Sequence, residues 1–249
     1  MELTERALRA QLSDVDELHR DGMATMPSDI RDLHAVSRSH LDRRGLITTA
    51  ALTSAAVAIG STVLPIGHVL PASAADAVLD DPTIAAFAAS VEYASVAAYG
   101  AAAQSGKVTT PAVAQAAQLF ASHHKEHGDA FLAASGGKWT KDKPNPGLIK
   151  ALSDQLTNAR TEKDVVKLAY DAENAAAATY LFALGALKSP DALRLTASIL
   201  PIESAHAVVL GGVLGMALPL GADPQVISTY MPTYETQKLA LSPTTYPLA

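Results

Sequence analysis

From residue 81 onward the chain alternates between long stretches of Ala, Val and Leu and short breaks built from Gly, Pro, Ser, Thr and Asp. The breaks carry helix-boundary chemistry. Asp81-Pro82 predicts a helix start, with a capping carboxylate and a proline at the first helical position, and Gly106 predicts its end. Thr110-Pro111 opens a second helix, closed by Gly136-Gly137. Thr161, followed three residues later by Asp164, reads as a capping box that opens a third. Ser189-Pro190 ends that helix and opens a fourth, which runs to about Gly215 or Ala217. Each span is about 23–28 residues, or about 35–40 Å at the helical rise, which is the length of a four-helix bundle. Pro201 lies inside the fourth helix and predicts a kink, a bulge or a break. Between the second and third helices, Lys138–Arg160 is a longer connection with a short helix expected over Gly147–Asn158.

The first part of the chain is patterned differently. Residues 1–42 are polar and weakly periodic, and read as a disordered region in which Glu2–Leu18 has the makings of a short amphipathic helix. Arg43-Arg44 follows, and no Asp, Glu, Lys or Arg then appears until Asp76. Ala72-Ser73-Ala74 has the small-x-small form of a cleavage site. Twin arginine, an uncharged apolar stretch and a cleavage pattern resemble a twin-arginine export signal over residues 43–74. Residues 45–70 are also long enough to remain in a bilayer as an anchor, with the remainder of the protein outside the cytoplasm, or to form a buried helix. The expected organisation is therefore 1–42 polar, 43–74 signal or anchor, 75–217 helical bundle and 218–249 an irregular tail, either an ordered strap or a flexible end.

Composition narrows the function classes. The chain of 249 residues has no cysteine, which excludes disulfides, thiolate metal sites and iron–sulfur clusters. Its formal charge of −6 and the lack of a basic stripe give no reason to expect nucleic-acid binding. Abundant Ala favours helices and lets them approach closely, so the fold class is all-α.

The polar residues left inside the apolar stretches carry the chemistry. Glu92 stands among small and apolar neighbours, where a carboxylate either faces solvent or is buried and paired or metal-bound. Glu173 is in a similar setting, and Glu203 and His206 form an i, i+3 pair with no other ionisable residue between Thr196 and Pro219. Residues three apart share a helix face, so such a pair can reach one point together. In Ser122-His123-His124-Lys125-Glu126-His127 the pair His124/His127 has the same spacing. His123 and Glu126 form another, turned about 100° away, and read as solvated surface. After residue 74, histidine occurs only at 123, 124, 127 and 206.

There is also an internal repeat. Tyr99 follows Glu92 by seven residues, and Tyr180 follows Glu173 by seven; Glu92 to His127 is 35 residues and Glu173 to His206 is 33. Two copies of one helix hairpin, with polar residues at matching positions, predict a pseudo-two-fold site. Each Tyr is expected in the core, its hydroxyl bonded to something polar or orienting a ligating Glu or His.

In chain order these residues are Glu92, His124-x-x-His127, Glu173 and Glu203-x-x-His206. The order resembles the ligand set of the ferritin-like carboxylate-bridged dimetal proteins, in which four helices supply Glu, Glu-x-x-His, Glu and Glu-x-x-His. Over residues 81–217 the chain looks closest to the exported bacterial ferritin-like domain proteins. That resemblance implies an antiparallel four-helix bundle holding two divalent ions, iron or manganese, with zinc as the other candidate. It also implies oxygen, peroxide or ferrous iron as small-molecule partners, and oxidase or ferroxidase-like chemistry. A dimer is compatible with it. The departure is His124, which stands where the family has Glu. There it would ligate metal, hydrogen-bond to a ligand, or leave a metal position incomplete. Three carboxylates instead of four would stabilise high oxidation states less and weaken the oxidase chemistry. The rival reading is a non-catalytic structural bundle held by zinc or by no ion.

Overall fold

The structure is a computed structural model and describes residues 4–37, 80–216 and 240–248. The expected signal or anchor, 43–74, and residues 217–239 of the tail lie outside the described residues. Among the described residues there are six helices and no strand: α1 Glu5–Ser37, α2 Asp81–Gln104, α3 Pro111–Ala134, α4 Pro146–Asn158, α5 Glu162–Ala186 and α6 Pro190–Val213. Helices α2, α3, α5 and α6 form an antiparallel four-helix bundle, built from the hairpins α2–α3 and α5–α6. The short α4 occupies the longer connection between them, as expected, and packs on α2 and α5.

Caps fix where these helices begin. Thr161 and Asp164 make the full capping box at the start of α5. The cap of α2 is Asp80 rather than Asp81, its carboxylate accepting from the Thr83 amide at 2.9 Å. Asp81 instead accepts from the Ser189 amide at 2.5 Å and ties the start of α2 to the α5–α6 turn. Thr110 precedes α3 without capping it; its hydroxyl donates to Glu162 at 2.6 Å and links the α2–α3 turn to α5. α6 continues through Pro201, whose position is exposed, so the proline does not break the helix.

Residues 1–42 were expected to be disordered, yet α1 lies along α6 and also touches α3. Leu8, Leu12 and Val15 bury in one cluster with Phe120, Val209 and Leu210, and Arg9 donates to Gln115 at 2.6 Å. The spacing of four, three and four residues from Leu8 to His19 forms one apolar stripe, which burial of that stripe turns into a docked fifth helix. The end of the tail behaves as a strap: Leu241 and Tyr246 are buried, the Leu241 amide donates to Thr179 at 2.7 Å, and Asn145 donates to the Tyr246 carbonyl at 3.0 Å.

Small residues set the helix spacing. A Cβ at Gly128 of α3 would lie 2.8 Å from Cε1 of Tyr93 and 3.2 Å from Cβ of Glu92. Gly128→Ala should therefore force α2 and α3 apart and destabilise the protein by about 1–3 kcal/mol, as overpacking does. Chemical denaturation checks this, and an unchanged midpoint would show that the hairpin has slack.

Candidate metal centre

The four bundle helices place six expected residues at one buried point midway along the bundle. Glu92, His124, His127, Glu173, Glu203 and His206 are each at most 1% exposed. They form two overlapping nests: Glu92, His124, His127 and Glu203 in one, and His124, Glu173, Glu203 and His206 in the other. Within each nest the ligand atoms lie within 4.8 Å of one another. His124 and Glu203 belong to both. The His124 ring spans the two nests, with Nδ1 2.6 Å from Glu92 Oε2 and Nε2 3.1 Å from Glu173 Oε1. His127 Nδ1 lies 2.8 Å from Glu203 Oε1, and His206 Nδ1 lies 3.3 Å from Glu173 Oε2.

The tyrosines close the pseudo-two-fold pattern by exchange. Tyr99, on the same helix as Glu92, donates its hydroxyl to Glu173, and Tyr180, on the helix of Glu173, donates to Glu92. Seven residues are two helical turns, so in an antiparallel pair each Tyr comes level with the other helix's Glu. Burial, with the neighbouring carboxylate adding to it, pushes both phenols well above their usual range and keeps them as donors.

The charges are strongly coupled. Burial alone would disfavour a charged His124, but Glu203, Glu173 and Glu92 outweigh it and raise its ring well above the usual histidine range. Burial would raise Glu173 too, yet His124 and His206 hold its carboxyl well below the carboxylate range. Glu203 is pushed well up by burial, with Glu92 and Glu173 adding and His124 opposing. His127 is depressed by burial and by the histidines around it.

His123 is the residue whose expected place was wrong. It is 1% exposed rather than solvated, because α1 covers the second face of α3. Its Nδ1 lies 3.0 Å from His206 Nε2 and its Nε2 3.4 Å from Asp16 Oδ1 of α1. His19 of α1 stacks on it with ring centroids 3.9 Å apart and lies 5.1 Å from the His127 ring. Glu126 is exposed, as expected, and sits 3.8 Å from His19 Nε2. The signal for α1 in the sequence is His19 standing on the apolar stripe of an otherwise polar helix.

These contacts test whether the donors fit a metal. The 2.8 Å approach of His127 Nδ1 to Glu203 Oε1 lacks hydrogen-bond geometry, so both Glu203 oxygens and both His127 nitrogens are buried without a directed hydrogen bond, which is costly for a carboxylate and an imidazole. Burial depresses His123, to about 3, and also lowers His206, so both rings are neutral near pH 7. A carboxylate only accepts, so His123 donates from Nε2 to Asp16, accepts at Nδ1, and leaves His206 to donate from Nε2. His206 Nδ1 then carries a lone pair aimed at the Glu173 carboxylate. Two lone pairs facing each other 3.3 Å apart call for a cation between or beside them. Nitrogen and carboxylate donors suit iron, manganese and zinc, so the residues of these clusters could hold metal ions.

Asp16 and His123 thus orient His206 from outside the bundle. Asp16→Ala should weaken metal binding about 10–100-fold, the usual cost of losing a partner behind a ligating histidine. Competition titration against a chelator measures this, and an unchanged affinity would mean that Asp16 does not set the tautomer.

A family model described as a ferritin-like domain matches residues 80–216, which is more than half of the chain and spans α2 to α6. No curated protein and no solved structure matches it.

Proposed function

Because the chain belongs to the ferritin-like domain family, we propose that it holds a dinuclear iron or manganese centre in the bundle core and acts in the cell envelope on oxygen, peroxide or ferrous iron. The observation that carries this reading is the pair of four-donor nests sharing His124 and Glu203, with Glu203 and His127 buried and otherwise unpartnered. Glu92, His127, Glu173 and His206 would hold the ions, with Glu203 and His124, which belong to both nests, within reach of each. Bound iron or manganese supplies redox chemistry with oxygen or peroxide that these side chains lack. The chain's own residues do the remainder. Tyr99 holds the Glu173 carboxylate and Tyr180 that of Glu92, His123 sets the tautomer of His206 with Asp16 behind it while α1 is attached, and Phe120 lies against the His206 ring at 4.0 Å and keeps water away. His124 must give up its proton to ligate, so metal uptake competes with protonation there.

Residues 43–74 supply the export signal in this reading. In this reading α1 docks in the folded chain before processing, and cleavage after Ala74 would separate it from the bundle. The twin-arginine route carries folded proteins, so metal would be loaded while α1 still covers His123.

A second reading, a structural bundle held by zinc, is favoured by one observation: His124 replaces a carboxylate between the two nests. Redox behaviour separates the two. Protein loaded anaerobically with ferrous iron and then given peroxide should develop ferric absorption stoichiometric with the bound iron. A colourless protein that binds only zinc would establish the structural reading.

A further inference from the structure

The internal repeat makes the two ends of the bundle comparable, and they are packed differently. At the Tyr180 end the space is filled: the Tyr180 ring stacks on Phe131 at 5.3 Å, and Trp139 and Tyr93 belong to the same cluster. At the Tyr99 end the matching space is open. A cavity of about 60 Å³ reaches from between α2, α4 and α5 inward to Tyr99 and Glu173. One water needs about 10–15 Å³, so the space exceeds what a stray solvent molecule requires. Small side chains create it: Ala98 and Ala102 from α2, Ala169 and Ala172 from α5, with Val113 and Leu156 completing the walls. Nearly all of the lining is apolar, and its polar end is Glu173, which accepts the Tyr99 hydroxyl. Pockets lined in this way favour small apolar molecules.

We infer that this cavity is a binding site for a small uncharged apolar molecule of about three or four heavy atoms, and that it presents that molecule to the Glu173–His206 half of the centre. At the other half Phe131 packs on Tyr180 and His19 stands beside His127. The Glu173 half faces an apolar pocket. An anionic ligand is disfavoured in the pocket because the one charged group in its lining is the Glu173 carboxylate. The binding claim stands on the cavity alone; the claim of delivery to the metal rests on the proposed function above.

The test uses the full chain and 2-fluoropropane, followed by fluorine NMR. Zinc-loaded wild-type protein should bind the probe saturably, at sub-millimolar to millimolar concentration, and Ala169→Phe, which fills the pocket one turn from Glu173, should weaken binding at least tenfold. Ala98→Leu, a smaller change, serves the same purpose if Ala169→Phe does not fold. Absence of saturable binding to wild type, or binding undiminished in the folded variants, overturns the assignment. Replacing zinc by manganous ion should then broaden the bound fluorine resonance strongly in wild type. Saturable binding without broadening, in protein shown to carry manganese, overturns delivery to the centre. Saturable binding to a chain that takes up no metal would keep the pocket and remove the metal reading, so the two failures are told apart.

Discussion

A Glu203→Ala/His206→Ala chain should lose both metal ions while keeping its fold. Glu203 lies in both nests and His206 in one, so the double change removes a donor from each ion and a second donor from one of them. Affinity should fall at least a hundredfold. The metal-free variant should be less stable than metal-free wild type, because Ala leaves cavities and deprives His127 and Glu173 of a neighbour. The difference widens on adding metal. Wild type should gain about 4 kcal/mol per site at a thousandfold excess over its dissociation constant, and the variant no more than about 1.4 kcal/mol. Equal stabilisation of both proteins by manganese or iron would place the metal elsewhere.

The second large effect is expected from His124→Glu, which restores the family's four-carboxylate pattern. In the metal-free chain the His124 ring is the cation among Glu92, Glu173 and Glu203, with its two nitrogens 2.6 and 3.1 Å from the first two. A fourth carboxylate would leave those groups uncompensated, at a cost of about 3–5 kcal/mol of the kind seen when one partner of a buried pair is removed. With metal present the sign reverses. Four carboxylates offset more positive charge, so the variant should bind metal more tightly, favour the ferric state and oxidise ferrous iron at least tenfold faster than wild type. Denaturation with and without metal reads the first effect and stopped-flow absorption the second. A metal-free variant as stable as wild type would show that His124 does not neutralise the site.

Much of the bundle was legible in the sequence because helix boundaries have their own chemistry. Thr161/Asp164, Ser189-Pro190 and Thr110-Pro111 each stand where a helix begins, although Thr110 serves as a tie to Glu162 rather than as a cap. The six residues of the centre were legible for a related reason. An ionisable group inside a long apolar helix has few places to go, and i, i+3 spacing puts two on one face. The repeat of Glu and Tyr at seven residues predicted that each hydroxyl would find a polar partner, and the antiparallel pairing made that partner the Glu of the opposite helix.

The fifth helix was the part that stayed hidden. α1 is polar on three sides, and its apolar stripe from Leu8 to Val15 is narrow, so local pattern alone does not distinguish a docked helix from a solvated one. Its effect on His123 could not be read locally either. Adjacent residues point about 100° apart on a helix, so burial of His124 says that His123 faces elsewhere, not that it faces water. Only the docking of α1 on that second face turns His123 into the link between His206 and Asp16.

The central claim is that one buried centre in this chain holds two ions. Native mass spectrometry of the full chain, produced with both iron and manganese supplied, counts them directly. The account predicts a dominant species with two iron or manganese ions per chain, shifted to the metal-free mass in Glu203→Ala/His206→Ala. A chain that carries no metal under those conditions, or one zinc ion unaffected by the double variant, would contradict it.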